Sequence, residues 1–175
     1  IVVLESLDHA QSRNAKILAE VEGIGQSHSL NPAYEHLEPD GTGIRIAVEK
    51  ALADAGIGPE DLDLIIPHGT AIPQDDLAEA RGLQAALGSA TGRISVWPTK
   101  SMLSVTGAAA GAIDVIAAVR AMNECVIPPA RNFTKPAAGC DLNIPTERRE
   151  GRIRRALCCS YTHGGQTAAV VLKAF

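Results

Sequence analysis

A histidine at the end of a short apolar run is the first candidate for chemistry in this sequence. Leu64-Ile65-Ile66 predicts a buried strand, which runs directly into Pro67-His68-Gly69-Thr70. An imidazole at the carboxyl end of a strand can face a cleft and act as a proton donor or hydrogen-bond donor. The spacing is equally typical of a loop histidine bonded to local backbone, so both interpretations stay open.

Two carboxylates and a lysine follow. Asp76 and Glu79 stand three residues apart at the start of an apolar periodic run, which favours a variant of the helix capping box over general acid–base work. Lys100 follows Trp97-Pro98-Thr99 in a polar loop. A lysine there either pairs with a buried carboxylate, holds an anionic substrate or is a solvated surface residue.

The remaining candidates are weaker. The small residues Gly107 to Gly111 predict close backbone packing, and the pattern of a phosphate-binding loop is absent. Cys158 and Cys159 lie in an apolar run and are predicted to be core residues. His163, in a Gly-rich turn, either faces a cavity or is a simple turn residue. No histidine stands at zinc-ligand spacing with a cysteine, so we predict no metal site.

These residues must be positioned by alternating strands and helices. Apolar Ile1–Leu4 predicts a buried strand, and since soluble domains seldom begin inside a core strand, we expect another segment to precede it. The chain then predicts a half-buried strand in 16–27, a loop over 28–43, a helix over 44–55, a strand at 64–66, a helix over 76–87, a strand at 94–97, a helix over 107–123, and a hairpin of strands 153–160 and 167–172. Such alternation indicates an α/β layered domain with a mostly buried central sheet.

Composition excludes several classes of protein. The 175 residues carry a formal net charge of −4 and only 3% aromatic residues, which argues against a nucleic-acid partner. The longest weakly polar stretch, Met102 to Val119, contains Asp114 and predicts a buried soluble helix, so we expect no membrane association. Four cysteines without C-x-x-C spacing predict a reduced, cytoplasmic protein.

Taken in order, the motifs resemble the C-terminal half of the β-ketoacyl-ACP synthases, condensing enzymes of the thiolase-like fold. The similarity runs nearly end to end. It is carried by Arg13-Asn14-Ala15-Lys16, by His68-Gly69-Thr70-Ala71-Ile72-Pro73 with Asp76, Glu79 and Ala80, by Thr99-Lys100-Ser101-Met102 with Gly107 to Gly111, by Pro128-Pro129 with Asn132-Phe133, by Cys140-Asp141-Leu142, and by Gly164-Gly165.

The resemblance implies a fold and a function. The expected fold is α/β: a thiolase-like layered α-β-α domain over residues 1–175, one half of the duplicated ketosynthase fold, with a mixed central sheet. The N-terminal half, which holds the cysteine nucleophile in the family, is absent from this chain. The expected function is that of a component in the decarboxylative Claisen condensation of acyl and malonyl thioesters, in fatty acid or polyketide synthesis.

The resemblance also assigns site residues. As catalytic residues it implies His68, the first family histidine, and Lys100, the family lysine, with Asp114 where a glutamate is usual. As substrate-binding residues it implies the following: Thr70, which would touch the pantetheine arm; Ile72, in place of its partner threonine; Val105, in place of the second family histidine; and Thr162 with His163, the latter in place of the gating phenylalanine.

Three functional interpretations follow from these departures. The chain is a ketosynthase part that is inactive alone, a non-catalytic chain-length-factor-like subunit that shapes the acyl tunnel, or a module that only holds an acyl chain. The implied partners are an N-terminal ketosynthase half or a ketosynthase subunit, in a dimer or heterodimer, and an acyl carrier protein. Its phosphopantetheine arm would carry the substrate, and the chain itself is expected to bind no cofactor.

Overall fold

The computed structural model describes residues 1–29, 31 and 35–175. The main helices and strands, in chain order, are α1 (Leu7–Ser12), β1 (Ala19–His28), α2 (Thr42–Ala55), β2 (Leu64–Ile66), α3 (Pro73–Leu87), β3 (Ser95–Val96), α4 (Lys100–Leu103), α5 (Ala110–Glu124), β4 (Val126–Ile127), β5 (Arg149–Glu150), β6 (Arg155–Tyr161) and β7 (Gln166–Ala174). Three short 3₁₀ turns lie at 59–61, 88–92 and 107–109.

Five of the strands form one mixed sheet in the order β1-β7-β6-β2-β3. The β1/β7 and β7/β6 pairs are antiparallel, whereas β2 pairs in parallel with both β6 and β3. The carboxyl ends of β2, β3 and β6 therefore meet at one edge of the sheet. Ligand sites of α/β proteins form at such an edge.

Helices cover both faces of this sheet, which confirms the predicted layered α-β-α architecture. On one face α2 and α3 pack on a core that includes Ile44, Val48, Leu83 and Leu157. On the other face α5 packs on a second core, around Leu64, Ile66 and Met122. No helix in the described part of the chain is long and apolar enough to cross a membrane.

Most of the predicted elements are present, with different ends. The second predicted helix begins at Pro73 rather than at Asp76, because proline is well suited to the first helical position. The terminal hairpin is confirmed as β6 and β7. The predicted strand at Ile1–Leu4 is wrong: these residues form no strand, and Ile1, Val3 and Leu4 are exposed. Part of the predicted loop over 28–43 lies outside the described residues.

The β1 strand is present, but its buried positions differ from the apolar pattern that predicted it. Val21 and Ile24 are exposed, whereas Gly23 and Gly25 are buried under α2. A Cβ on Gly25 would lie 1.9 Å from the Ala47 carbonyl oxygen, so only glycine allows this approach. The apolar side chains of β1 therefore face away from α2.

The small residues before α5 also differ from their prediction of close packing. A Cβ on Gly107 would meet nothing within 4 Å, and one on Gly111 would make only ordinary contact with Ser160. Both glycines line an open cavity instead. Of the predicted buried helix, the part before Ala110 is exposed, and α5 buries one face, including Ala118 and Met122.

Candidate functional site

The loop after β2 is fixed to α3 by two carboxylates. Glu79 accepts hydrogen bonds from the backbone amides of His68 and Gly69, at 2.7 and 2.9 Å, and Asp76 accepts one from Thr70 at 3.0 Å. Neither carboxylate caps its own helix, since the N-cap is Ile72 and has no side-chain bond. The predicted capping box is therefore wrong, and the pair holds the loop that carries His68.

Ala71, inside the same loop, has a φ of 64°. That left-handed conformation is costly for a residue with a Cβ, and such strain collects at functional sites. Burial raises the pKa of Asp76, while its bonds to the amides of Thr70 and Ala71 oppose the rise. The carboxylate thus holds the strained part of the loop in place.

His68 is 8% exposed and lies where β2 and β6 end. Burial, with the nearby charge of Lys100, lowers the pKa of His68 to about 4, so the imidazole is neutral near pH 7. The Ser160 hydroxyl lies 3.4 Å from Nδ1. A hydroxyl that donates to Nδ1 leaves the proton on Nε2, so the ring can offer a neutral N–H donor.

Lys100 forms a buried ion pair directly after β3. Its Nζ lies 2.6 Å from Asp114 Oδ2, and the two side chains are 5% and 2% exposed. The other oxygen of Asp114 accepts a 2.5 Å bond from the Thr99 hydroxyl. Of the alternatives that the sequence left open for Lys100, the structure shows pairing with a buried carboxylate, and the surface lysine is excluded.

The protonation state of Glu79 decides how it holds the loop. Its side chain is fully surrounded by protein, and burial raises the pKa of Glu79 to about 7, against the opposing effect of its two amide bonds. Protonation would convert one accepting oxygen into a donor. The carboxylate form is therefore the one that holds both backbone amides of the loop.

A cavity of about 510 Å³ opens beside His68. Its lining includes every residue that the sequence assigned to substrate binding: Thr70, Ile72, Val105, Thr162 and His163. Of the two interpretations of His163, the structure shows a residue that faces a cavity. Lys100 and Asp114, which pair with each other, do not line the cavity.

Val105, which the resemblance sets against the second family histidine, is 51% exposed in the segment between α4 and α5. It contributes only methyl groups to the cavity wall. Ser104, beside it, has a φ of 62°. Where the resemblance leads us to expect an imidazole, the structure has an apolar, half-exposed side chain.

Sequence reasoning missed several residues of this cavity, among them Ser160, Tyr161, His36 and Asp75. Ser160 and Tyr161 were hidden in an apolar strand, although polar residues at the carboxyl end of a strand are a usable signal. His36 lies in a predicted loop, with Nδ1 3.2 Å from Asp75 Oδ2. Asp75 is 3% exposed and also accepts the backbone amide of Leu37, so it holds this loop against α3.

The cysteines of the sheet are core residues, as predicted. Cys158 and Cys159 are 6% and 2% exposed, and burial raises the pKa of both thiols well above the usual range. A thiol in that state is a poor nucleophile. Among the described residues, no group of three or more histidine, cysteine, aspartate or glutamate side chains is placed to hold a metal ion.

Comparison with known proteins identifies the family. Residues 18–134 match the model of the beta-ketoacyl synthase C-terminal domain. The chain belongs to the ketoacyl synthase family. This ketoacyl synthase domain is 38% identical over 174 residues to 3-oxoacyl-[acyl-carrier-protein] synthase 2 of Coxiella burnetii, covering 98% of this chain and 41% of that protein. It is 36% identical to nodulation protein E of Rhizobium sp. strain N33, covering 99% and 42%. The chain thus spans about two fifths of the length of these relatives.

Solved structures show the same fold. A structure of a type II polyketide synthase acyl-carrier protein in complex with its ketosynthase bound to the hexaketide matches with a TM-score of 0.92 at 30% identity, covering 98% of this chain and 42% of that one. The ishigamide ketosynthase/chain length factor matches with a TM-score of 0.89 at 31% identity, covering 98% and 41%. The thiolase-like ketosynthase fold expected from the sequence is therefore confirmed.

Proposed function

We propose that this domain is the C-terminal part of a 3-oxoacyl-ACP synthase component that receives a malonyl thioester beside His68. The observation that carries the proposal is the neutral, buried imidazole at the wall of the cavity, with Ser160 at its Nδ1. Decarboxylation of a malonyl thioester places negative charge on the thioester oxygen. A preorganised neutral N–H donor is suited to bind that oxygen.

In this proposal each site residue has a stated role. His68 is the catalytic residue, because it would touch the reacting thioester. Lys100, held by Asp114, assists burial in keeping the imidazole neutral, since burial and then the Lys100 charge lower the His68 pKa. Thr70 lines the path of the phosphopantetheine arm, and Thr162 with His163 lines its mouth.

The acyl-carrying cysteine is proposed to come from the N-terminal ketosynthase half or from a partner subunit. An apolar hollow of about 810 Å³ supports such a partner: it is lined by residues of the N-terminal 21 positions together with Ile116, Val119 and Phe175. Exposed apolar surface of this kind is typical of an interaction face. The acyl carrier protein, found with a ketosynthase in one similar structure, is the proposed donor of the thioester.

A second candidate function is a chain-length-factor-like subunit without turnover. Val105 favours it, because the cavity lacks one of the two imidazoles that the reaction uses in the family. The similarity to the ishigamide ketosynthase/chain length factor is consistent with it. In that role Ile72 and His163 would set the width of the acyl tunnel.

Cysteine labelling with mass spectrometry separates the two candidates. The protein is purified with any chain that accompanies it, measured in native and denatured states, and treated with iodoacetamide. For the enzyme, we expect iodoacetamide to label a cysteine outside residues 1–175. We also expect prior treatment with the acyl-carrier substrate to prevent that labelling. Cys125 is exposed and Cys140 is half-buried, so both can react with iodoacetamide. A control variant with both changed to serine removes this background labelling. Absence of any such reactive cysteine would favour the non-catalytic subunit.

A further inference from the structure

A second histidine, His36, lines the cavity from the loop before α2. Its side chain is 39% exposed, in contrast to the buried ring of His68. The proposed decarboxylation gives this residue no role. A half-exposed imidazole in the wall of a cavity is nevertheless a group that a ligand can reach.

Asp75 orients this ring. Its Oδ2 lies 3.2 Å from Nδ1 of His36, while its Oδ1 accepts the backbone amide of Leu37 at 3.1 Å. The Asp75 side chain is only 5% exposed and belongs to the first turn of α3. The loop backbone is already held through Leu37, so the second carboxylate oxygen is left to fix the imidazole.

The pair leaves one polar atom of His36 for a ligand. A carboxylate accepts hydrogen bonds and donates none, so the Nδ1 that faces Asp75 carries a proton. In its neutral form the ring then offers Nε2 as an acceptor, and the carboxylate on Nδ1 raises the basicity of that atom. Within the described part of the chain, Nε2 of His36 has no hydrogen-bond partner.

The His36–Asp75 pair also lies near the group that would contact the thioester. Burial and the Lys100 charge lower the pKa of His68, and the charge of Asp75 partly opposes them, so Asp75 is within electrostatic reach of that ring. One cavity of about 510 Å³ therefore holds a donor at His68 and an acceptor at His36. A ligand that satisfies both has a carbonyl oxygen and, apart from it, an N–H or O–H group.

We propose that His36 is a specificity-determining residue whose Nε2 accepts a hydrogen bond from an N–H or O–H group of the thioester ligand, while the ligand carbonyl lies at His68. The inference rests on the proposed function and deepens it, because it adds a requirement on the ligand. Two parts of such a ligand carry suitable donors: an amide of the carrier arm and a hydroxyl group on the acyl chain. Asp75 is a positioning residue, since it acts through the ring.

The test is the affinity of the complete native protein for three probes, measured by titration calorimetry. All are ketone analogues of a pantetheine thioester, in which CH₂ replaces the sulfur, so they cannot acylate a cysteine. The parent carries a butyryl group. The second probe has an ester oxygen in place of the amide N–H nearest the ketone, and the third has a hydroxyl on the acyl chain.

Two matched variants are titrated beside the wild type. In His36→Asn the side-chain amide nitrogen takes the place of Nδ1 and can still donate to Asp75, whereas nothing replaces Nε2. The unfolding midpoint should therefore stay close to that of the wild type. His9→Asn is the control, because His9 also pairs with a carboxylate, that of Glu5 at 2.7 Å, but does not line the cavity.

The loss of one hydrogen bond should change the affinity about fivefold. If the carrier arm supplies the donor, the ester probe binds the wild type and His9→Asn about fivefold more weakly than the parent does, whereas His36→Asn binds both probes alike. If the acyl chain supplies it, the hydroxyl probe binds the wild type and His9→Asn about fivefold more tightly than the parent does, and His36→Asn shows no such gain. Either result supports the proposal.

The remaining outcomes overturn the role of His36. If His36→Asn keeps the wild-type ratios between the three probes, the pair only holds the loop. An equal loss of affinity for all three probes, with a lower unfolding midpoint, leads to the same conclusion. Release of CO₂ from malonyl-ACP tests the proposed function separately: a wild type that releases none, but shows the His36-dependent ratios, refutes decarboxylation and leaves the role of His36 standing.

Discussion

The loop that carries His68 and the segment that carries Val105 face one cavity, but they are held very differently. Three consecutive amides of the His68 loop donate to carboxylates of α3. Within the described part of the chain, no side chain bonds to the backbone of residues 102–109, and Met102, Leu103 and Val105 are all exposed by 40% or more. The residues just before that segment are fixed: Lys100 pairs with Asp114, and Ser101 makes hydrogen bonds with Arg131 and Asn132.

This difference indicates that the side chain at position 105 can change while the fold is kept. A residue in the His68 loop is tied to α3 and to the end of β2, so its replacement disturbs buried polar groups. A residue at position 105 carries little of the packing. The scaffold therefore places few constraints on the side chain there, and function alone decides which residue occupies it.

The largest expected effect concerns the anchor between the two regions. Asp114→Ala leaves the Lys100 ammonium buried without its counter-charge, and we expect a loss of about 3–5 kcal/mol in the free energy of unfolding. Urea unfolding measures it. Arg120→Ala on the same helix breaks an exposed pair with Glu124 and should cost less than about 1 kcal/mol. Equal costs would show that the anchor contributes no more than a surface pair.

That anchor also shows what the sequence could and could not predict. The spacing of apolar residues predicts α2, α3 and the hairpin, because these patterns are local. The burial of Lys100 depends on Asp114, which lies 14 residues further along the chain. The roles of Asp76 and Glu79 depend on a loop that lies up to 11 residues earlier. Such pairings are set by tertiary packing, so the sequence predicted a helix cap where the structure has a loop anchor.

The place of Tyr161 beside the cavity was missed for a related reason. A tyrosine at the end of an apolar strand has the pattern of a core residue, and its ring does belong to the core beside Leu157 and Cys159. Only the geometry shows that the residue also lines the cavity and lies against the His68 ring. The resemblance to a known family pointed to His68 and to five residues that line the cavity, but not to Tyr161, which it did not single out.

A smaller effect appears in the pH dependence of the His68 loop. The pKa of His68 is lowered to about 4, so this group stabilises the fold above pH 6.5 and loses that contribution as the pH falls through 4. The pKa of Glu79 is raised to about 7, so its contribution is present below pH 4.5 and is lost as the pH rises through 7. Between about pH 4.5 and 6.5, the contribution of His68 to the free energy of unfolding rises with pH, whereas the contribution of Glu79 falls.

Single variants should separate these slopes. Relative to wild type, His68→Gln should lose stability as the pH rises through this window, and Glu79→Gln should gain it, each by up to about 1.4 kcal/mol per pH unit. Unfolding by urea at a series of pH values gives both profiles. If the free energy of unfolding of both variants changes with pH as that of the wild type does, the structure is wrong about the desolvation of both groups.

The smallest effect on stability is expected at the exposed segment. Val105→His should change the free energy of unfolding by less than about 0.5 kcal/mol, because the side chain is 51% exposed. If the missing imidazole limits decarboxylation, the same variant should raise CO₂ release from malonyl-ACP by tenfold or more. Unchanged release from a folded variant would mean that the cavity already holds the donors it needs.

The glycine contact between β1 and α2 has a consequence for how this domain can be engineered. Because the Ala47 carbonyl lies where a Gly25 side chain would begin, α2 cannot move closer to the sheet, and any larger residue would push it away. The distance between α2 and β1 is therefore fixed by this contact. We expect new substrate ranges to be reached by exchanging side-chain volume at Ile72, Val105 and His163, while redesigns that shift the helix lose the fold before they widen the cavity.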